Sequence, residues 1–299
     1  MRHVCGIDAG GTKTVGLLAD QTGRILGHAR GGGANLQIHG ELEVEKVLHQ
    51  VIEELTRGLH IDGLCLGIAG VDRSHDEDVV RGILRRLGHR ERARVANDAV
   101  IALVAGSPER TGIVVLAGTG SIAYGIDPRG LTARAGGLGS LLSDEGSGYW
   151  LGQHALRAVV RAADGRGPAT RLQELVGEAL GIRAVGDLVP LIYEQGLPRQ
   201  RIAALAGLVQ EARDAGDEVA AGLTGRAARE LAASARAVAH RLDFGGQAFR
   251  VVLAGGAFQA CPCLETLILP HLDLPDARVE PLRDEPAHGA VRLALDLLG

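Results

Sequence analysis

The chain contains one sequence pattern twice, 107 residues apart, and this internal repeat constrains its fold more than any other feature. In each copy, an apolar stretch leads into a glycine turn, a second apolar stretch and a second turn. Gly11–Thr12 precedes the turn glycine Gly23 by twelve residues, and Gly118–Thr119 precedes Gly130 by the same distance. A duplicated strand hairpin followed by helices predicts two similar α/β lobes with a cleft between them.

Strands and helices alternate along much of the chain, which is typical of a largely buried, partly parallel sheet. We predict one lobe at residues 1–110 and a second lobe with extra helices at residues 111–299. The closing helix at 286–298 is expected to pack back on the first lobe. Apolar periodicity predicts other helices at 41–59, 76–87, 99–105, 147–163, 170–180, 184–195, 199–215 and 218–242, and strands at 64–69, 93–96, 112–117, 122–126 and 251–254.

The composition excludes several classes of protein. Hydrophobic residues make up 46% of the chain, which excludes a mostly disordered protein. A net charge of −4 and an aromatic content of 2% argue against nucleic-acid binding, so we interpret the arginine-rich stretch 81–94 as a solvated helix face. Neither a membrane-spanning apolar run nor a secretory signal is visible, so we expect a cytoplasmic protein without a membrane partner.

Small-residue turns follow three apolar strands, at 10–12, 118–120 and 255–257. Glycine there lets backbone N–H groups approach an anion closely, and the threonines of the first two turns add hydroxyl donors. One such turn is weak evidence, because hairpin turns need glycine anyway, but two of them occupy matching places in the repeat. The chain carries neither the Walker A nor the dinucleotide-binding glycine pattern. The turns therefore predict phosphate binding of another kind.

Four polar residues near these turns are candidates for the chemistry. Asp8 ends the first strand and is well placed to hold hydrated Mg²⁺, and Lys13, one of two lysines, could reach a phosphate. Asp98 ends a short strand, where it either caps the next helix or accepts the proton of an alcohol during phosphoryl transfer. Asp144 opens the longest apolar helix of the second lobe, where it either favours the helix start or accepts hydrogen bonds from sugar hydroxyls.

Five stretches carry a resemblance to a known family: Gly6–Thr14, Asn97–Ala99, Ala117–Ser121, Gly136–Trp150 and Leu253–Ala257. The chain resembles the bacterial-type N-acetylglucosamine kinases, which are grouped with the benzoyl-CoA reductase activator-type ATPases in the sugar kinase, heat-shock ATPase and actin superfamily. The Asp-Glu-Gly-Ser-x-Tyr-Trp run beginning at Asp144 is the most diagnostic. The resemblance implies an α/β, two-lobed actin-like ATPase fold built from duplicated ribonuclease H-like domains, with ATP and Mg²⁺ in the cleft.

The resemblance also implies roles for individual residues. Asp98 would be the general base that takes the proton from the sugar 6-hydroxyl, Asp8 would hold Mg²⁺ through water, and the phosphates would contact Thr12 and Thr119. The implied nucleotide-binding residues are Gly10, Gly11, Thr12, Lys13, Gly118, Thr119, Gly120, Gly255, Gly256, Ala257 and Ala260. The implied sugar-binding residues are Asn35, Asp98, Ser121, Ile122, Gly137, Leu138, Gly139 and Asp144.

Three positions near the implied sugar site depart from the family pattern: Ile122, Leu138 and Ser143. N-acetylglucosamine is the substrate that the resemblance favours, and glucosamine and N-acetylmuramic acid remain alternatives. An ATPase that activates a partner enzyme is another alternative, although Cys261 and Cys263 do not resemble the iron–sulfur ligands of such activators. Relatives are often dimers, so a homodimer is a further expectation.

Overall fold

Within residues 1–71, 74–89 and 92–299, which the computed structural model describes, both copies of the repeat fold into five-stranded sheets. The first sheet comprises β1 (His3–Ala9), β2 (Lys13–Asp20), β3 (Ile25–Gly32), β4 (Gly63–Ile68) and β5 (Ala93–Asn97). The second comprises β6 (Gly112–Ala117), β7 (Ser121–Ile126), β8 (Thr132–Gly136), β9 (Phe249–Ala254) and β10 (Ala277–Pro281). From the hairpin edge, the strand orders are β3-β2-β1-β4-β5 and β8-β7-β6-β9-β10, so the predicted duplication is confirmed.

The helices follow the strands in the predicted order. Those of the first repeat are α1 (Leu36–Thr56), α2 (Ser74–Arg86) and α3 (Asp98–Gly106). The later ones are α4 (Gly148–Ala163), α5 (Leu172–Leu180), α6 (Arg199–Ala204), α7 (Ala206–Asp214), α8 (Glu218–Ala239), α9 (Gly256–Ala260), α10 (Cys263–Leu267), α11 (Leu269–Leu272) and α12 (Ala287–Leu295). Residues 90 and 91 of the arginine-rich stretch lie outside the described residues.

Some predicted helices differ from the observed ones. The helix predicted at 184–195 is wrong, because a 3₁₀ turn at Val185–Asp187 is followed by a π-helical turn at Pro190–Glu194. Val189 keeps a helical backbone, with a φ of −63° and a ψ of −59°, but Pro190 has no backbone N–H to donate to a carbonyl of the preceding turn, so a regular α-helix does not run through 184–195. The helix predicted at 199–215 is divided at Leu205 into α6 and α7. Helices α9 to α11 have four or five residues each, too few to show a helical period.

The chain divides into two compact units, and the C-terminal helix belongs to the first of them. The first unit contains residues 1–114 and 280–299, and the second contains residues 115–279. Residues 280–299 thus belong to the same unit as β1. The boundary predicted from the sequence lies at residue 110, and the observed first unit extends to residue 114 before the chain enters the second. Helix α12 packs against β1 and α3. Gly6 permits this approach, because a methyl group there would overlap the backbone of Val291.

Both faces of the first sheet are covered by apolar side chains. Successive residues of β1 point to opposite faces, so Val4 joins the layer formed with α3 and α12, whereas Cys5 and Ile7 join the layer formed with α1 and α2. The predicted burial of Cys5 and Cys65 is confirmed. Because the sheet faces are occupied, functional side chains of this unit lie at the strand ends.

Among the described helices, none combines the length and apolar character needed to cross a membrane.

Candidate functional site

The parallel strands β1, β4 and β5 end at one level, and predicted site residues lie along this edge. Ala9 pairs with Ile68, and Ile68 in turn pairs with Asn97. Asp8 precedes the end of β1 by one residue, and Asp98 directly follows β5. The carboxyl edge of parallel strands is where open α/β sheets bind their ligands. The first unit thus brings Asp8 and Asp98, which are distant in sequence, to one edge.

The two carboxylates at this edge influence each other. Burial raises the pKa of Asp8 to about 7, and the negative charges of Asp98 and Glu285 add to the effect while Lys13 opposes it. Adjacent carboxylates in a partly buried site favour a bound cation. Among the described residues, no group of three or more His, Cys, Asp and Glu side chains forms a metal cluster. Mg²⁺ commonly takes one or two carboxylates and completes its shell with water and phosphate oxygens, so Asp8 is the residue of this edge that could hold it.

The turn between β1 and β2 is held by hydrogen bonds to its carbonyl groups. The Gly10 N–H donates to the Lys13 carbonyl at 2.9 Å, and the Ala34 N–H donates to the Gly10 carbonyl at 2.9 Å. The His39 ring Nε2 lies 3.0 Å from the Gly11 carbonyl. These contacts fix the peptide planes of the turn, and a turn of fixed N–H directions is suited to binding an anion. The sequence pattern does not single out His39.

Lys13 lies at the end of this turn, where it forms an ion pair that the sequence analysis misses. Its Nζ is 3.0 Å from Oε2 of Glu285, and Nη2 of Arg30 is 3.5 Å from the other carboxylate oxygen. The Lys13 side chain is 52% exposed. Exposed ion pairs contribute little to stability, so Lys13 can exchange this partner for a phosphate. Glu285 lies 272 residues away in sequence, and no local pattern marks it.

Asn35 caps the N-terminus of α1. Its Oδ1 accepts hydrogen bonds from the backbone N–H groups of Gln37 at 2.9 Å and Ile38 at 3.2 Å. Gly70, which follows β4 with a φ of 81°, lies against this side chain, because a methyl group there would be 3.0 Å from Asn35 Oδ1. The side chain of Gln37 also donates to Asp76 at 3.1 Å. The Ala-Gly pair that ends the β4 stretch is a small-residue signal that could have identified Gly70.

Asp98 is the first residue of α3, and the N-cap of this helix is Asn97, so the predicted helix-capping role falls to Asn97 and not to Asp98. Oδ1 of Asn97 accepts from the Ala99 N–H at 2.9 Å, and Oδ1 of Asp98 accepts from the same N–H at 2.9 Å. The carboxylate therefore lies at the N-terminal end of a nine-residue helix, a position where the helix dipole stabilises negative side chains. Asp98 also lies close enough to Asp8 for its charge to raise the pKa of that carboxyl group, and its second predicted role, that of proton acceptor, stays a prediction.

In the second unit, the turn between β6 and β7 is joined to the start of α4. The Gly118 N–H donates to the Gly120 carbonyl at 2.8 Å, which closes the turn. The Gly148 N–H donates to the Gly118 carbonyl at 2.9 Å, and the Tyr149 N–H lies 3.4 Å from the Thr119 carbonyl. Two N–H groups of the first turn of α4 are thus directed at carbonyl groups of the glycine turn. This arrangement holds the turn much as α1 and its preceding loop hold the turn of the first unit.

Asp144 is buried behind the same turn. Its Oδ1 accepts from the Ser121 N–H at 3.3 Å, and its Oδ2 lies 3.5 Å from Nη2 of Arg199. Burial raises the pKa of Asp144 and the charge of Glu145 adds to this, while N–H groups of Ser121 and Gly139 and the charge of Arg199 oppose it. The backbone of Asp144 is left-handed, with a φ of 72°. Such strain at a buried carboxylate is typical of functional sites.

The loop from Gly137 to Ser143 brings the remaining predicted sugar-binding residues together. Gly137 has a φ of 73° and lies against Ile122, since a methyl group there would be 2.8 Å from Ile122 Cδ1. Oγ of Ser143 accepts from the Leu138 N–H at 2.7 Å, and the Ser143 N–H donates to the Gly139 carbonyl at 2.8 Å. Ser143 therefore closes this loop, and the Leu138 side chain is exposed.

The third small-residue turn ends β9. Gly255 has a φ of 106° and lies against the backbone of Ala117, at the end of β6. Gly256 is exposed and begins α9, which also contains the buried Ala257 and the partly buried Ala260. The second and third predicted phosphate or nucleotide turns are thus neighbours within the second unit.

Cys261, just after α9, donates to the Ala206 carbonyl at 3.3 Å, and all four cysteines are free thiols.

Comparison with known families accounts for nearly the whole chain. The model of the BadF/BadG/BcrA/BcrD ATPase family matches residues 5–291. The chain belongs to the BadF/BadG/BcrA/BcrD ATPase family. This result confirms the resemblance found in the sequence, and the match includes the glycine turns of both units. For this ATPase family, the turns at 10–12, 118–120 and 255–257 are the natural candidates for nucleotide contact.

Full-length relatives of this BadF/BadG-type chain include named kinases. It is 35% identical to an N-acetylmuramic acid/N-acetylglucosamine kinase of Clostridium acetobutylicum, over 98% of each chain. It is 30% identical to an N-acetyl-D-glucosamine kinase of Dictyostelium discoideum, over 97% of each chain. A crystal structure of a candidate N-acetylglucosamine kinase from Chromobacterium violaceum matches with a TM-score of 0.79 and 28% identity, covering 100% and 99% of the two chains. The predicted actin-like ATPase fold with duplicated ribonuclease H-like domains is confirmed.

Proposed function

We propose that this protein is a kinase that transfers the γ-phosphoryl group of Mg-ATP to the 6-hydroxyl of an amino sugar, with N-acetylglucosamine as the favoured substrate. N-acetylmuramic acid and glucosamine are the alternative acceptors. The observation that carries the proposal is the pair formed by Asp98 and Asp8 at the carboxyl edge of the first sheet. Full-length relatives named as kinases of these sugars support it.

In the proposed reaction, Asp98 is the general base. Phosphoryl transfer depends mainly on positioning and charge neutralisation, and one carboxylate must accept the proton of the attacking hydroxyl. The Ala99 N–H donates to Oδ1 of Asp98 and holds the carboxylate in place, and the carboxylate is the form that accepts a proton. A positioned general base contributes roughly 10²–10⁴-fold to such a rate.

The glycine turns bind the nucleotide in this proposal. The N–H groups of Gly10 and Gly118 close their own turns, and the backbone N–H groups of Gly11 and Gly120 and the hydroxyls of Thr12 and Thr119 donate to phosphate oxygens. Lys13 exchanges Glu285 for phosphate charge. Mg²⁺, when bound, neutralises charge on the phosphate oxygens, and Asp8 orients it through water. The residues that border the adenosine are Gly255, Gly256, Ala257 and Ala260.

The sugar is bound by two polar anchors and one loop. Asn35 at the start of α1 and Asp144 behind the β6–β7 turn hydrogen-bond the sugar hydroxyls. The loop that Ser143 closes surrounds the ring and its substituents. The further sugar contacts that we propose are Ser121, Ile122, Gly137, Leu138 and Gly139.

The first test is ADP release from Mg-ATP with N-acetylglucosamine, N-acetylmuramic acid, glucosamine and glucose, against a reaction without sugar. We expect one amino sugar to raise turnover far above the rate without sugar. Slow ATP hydrolysis that no sugar increases would overturn the kinase proposal and leave the family assignment intact.

The second test replaces the base. Asp98→Asn keeps an oxygen that can accept from the Ala99 N–H but removes the proton acceptor, so kcat should fall by about 10²-fold or more. The affinity for ATP, measured by calorimetry, should remain nearly unchanged. Asp78→Asn is the matched control, since Asp78 is an exposed carboxylate on α2. Turnover of Asp98→Asn equal to that of the control would remove Asp98 from the mechanism.

A further inference from the structure

Arg199 is the cation that lies against the buried carboxylate of Asp144. Its Nη2 is 3.5 Å from Oδ2 of Asp144, and its Cζ lies 5.1 Å from the centre of the Tyr149 ring. The Asp144 side chain is 6% exposed, and that of Arg199 is 39% exposed. The guanidinium is thus held from one side by an aromatic ring and from another by the carboxylate, with part of it open to solvent.

The position of Arg199 depends on close packing between two helices. Arg199 is the first residue of α6, which lies against α4. Gly152 on α4 permits this approach, because a methyl group there would overlap the Ile202 carbonyl, and Gly148 is less crowded, since a methyl group there would be 3.2 Å from the Ala203 carbonyl oxygen. Since α4 begins four residues after Asp144, this packing places the first residue of α6 beside the buried carboxylate.

The hydrogen bonding of Arg199 indicates a role other than stability. Its Nε is buried and has no hydrogen-bond acceptor within the part of the chain that the structure describes. A buried donor without an acceptor destabilises a fold, and such groups in native proteins need a separate explanation. The single, long contact between Arg199 and Asp144 also contributes less to stability than a two-point contact, in which the planar guanidinium meets both carboxylate oxygens. The arginine is therefore better explained by what it does to Asp144.

We propose that Arg199 is a positioning residue that keeps Asp144 ionised and oriented to accept hydrogen bonds from the sugar. This inference rests on the proposed function, in which Asp144 binds sugar hydroxyls. A carboxylate accepts hydrogen bonds at both oxygens, whereas the protonated acid loses one acceptor position. Arg199 contacts Oδ2 and the Ser121 N–H contacts Oδ1, so the plane of the carboxylate is set from two directions.

Some groups around Asp144 favour its protonation and others oppose it, and among those that oppose it the Ser121 N–H has a larger effect than Arg199. Burial favours the neutral acid, and Glu145 in the same turn adds a like charge. Two backbone N–H groups, from Ser121 on β7 and from Gly139 in the sugar loop, favour the carboxylate, and Arg199 on α6 is the one side-chain cation among the causes that hold its pKa down. Loss of the Arg199 charge should therefore raise the pKa of Asp144 further.

The experiment compares Arg199→Met and Arg199→Lys with Arg201→Met, which removes an exposed arginine from the same helix. For Arg199→Met, KM for the sugar should rise about ten-fold or more, while KM for ATP changes by less than about two-fold. The acid limb of kcat/KM for the sugar should move to higher pH, because the pKa of Asp144 rises when the Arg199 charge is removed. Arg199→Lys should recover part of both effects, because it restores the charge without the planar fork.

Two further measurements keep the outcomes distinguishable. The fluorescence of Trp150, the one tryptophan, reports whether each variant is folded under the assay conditions. Carboxyl NMR titration, assigned with Asp144→Asn, measures the Asp144 pKa without any sugar. If wild-type protein phosphorylates no sugar, the proposed function fails and the sugar-binding role of Arg199 fails with it. If the wild type is active but folded Arg199→Met keeps its sugar KM, its acid limb and its Asp144 pKa, the positioning role alone is overturned.

Discussion

Replacing Gly255 with alanine should destabilise the second unit far more than the same change at the adjacent Gly256. Gly255 has a φ of 106° and a ψ of 162°, a region that is essentially restricted to glycine. Placing an L-residue there costs about 1–3 kcal/mol of backbone strain. The added methyl group would also overlap the Ala117 carbonyl group at the end of β6, and overpacking of this kind costs about 1–3 kcal/mol more.

Together these effects predict a loss of about 2–6 kcal/mol in the free energy of unfolding. With a urea dependence of roughly 2–3 kcal/mol per M, the unfolding midpoint should fall by about 1 M or more. The fluorescence of Trp150 is a suitable signal, because Trp150 lies in the same unit as Gly255. Gly256 has no atom within 4 Å of an added methyl group and begins α9, so Gly256→Ala should leave the midpoint unchanged or slightly higher.

The comparison also separates stability from nucleotide binding. Mg-ATP should stabilise the wild type by binding the folded state, and this shift should be reduced in Gly255→Ala because the third turn is displaced. Equal urea midpoints for Gly255→Ala, Gly256→Ala and the wild type would refute the reasoning. Such a result would mean that the β6 and β9 strand ends separate at little cost, so that no close backbone approach defines this turn.

Two other predictions test the caps and turns. Asp217 caps α8 by accepting from the Ala220 N–H and from Thr170, and Asp217→Ala should lower stability by about 1–2 kcal/mol near neutral pH. Burial raises the pKa of Asp217, but its hydrogen bonds outweigh this and hold the pKa below the ordinary value, so its contribution should disappear as the pH falls through that lowered pKa. Urea unfolding at about pH 7 and about pH 3 checks this, and an equal difference at both would contradict it. His39→Ala should raise KM for ATP about three- to ten-fold, because it releases the Gly11 carbonyl, whereas His39→Gln should retain much of this contact. Steady-state kinetics that show no change of KM in the alanine variant would exclude this role of His39.

Much of the fold could be predicted because its signals are local. The β1–β2 and β6–β7 hairpins follow from apolar alternation and glycine turns within about thirty residues. The type of helix at 184–195 could not be predicted, since apolar spacing does not distinguish a 3₁₀ turn and a π-helical turn from an α-helix, and Pro190 lacks an N–H for a regular helical hydrogen bond. The division of 199–215 at Leu205 likewise depends on how α6 packs against α4, where Gly152 allows the close approach.

The candidate site could be predicted in its parts but not in its electrostatics. The positions of Asp8 and Asp98 at strand ends follow from sequence, because parallel strands place their carboxyl ends at one edge. Burial raises the pKa of Asp8 to about 7, and the further contribution of Asp98 requires that β1 and β5 both flank β4. Ser143, a departure from the family pattern, has a role only once its hydroxyl is seen to accept from the Leu138 N–H.

The sequence by itself determined the duplicated architecture, the three glycine turns and the family, because these depend on residues close together along the chain. Only the tertiary structure decided which cations meet the site carboxylates and carbonyls. Lys13 meets Glu285 across 272 residues, and Arg199 meets Asp144 across 55. The physical reason is that an ion pair depends on distances of a few ångströms between elements whose packing is set by the entire core. No periodicity or turn signal near Arg199 records that the carboxylate it meets is Asp144.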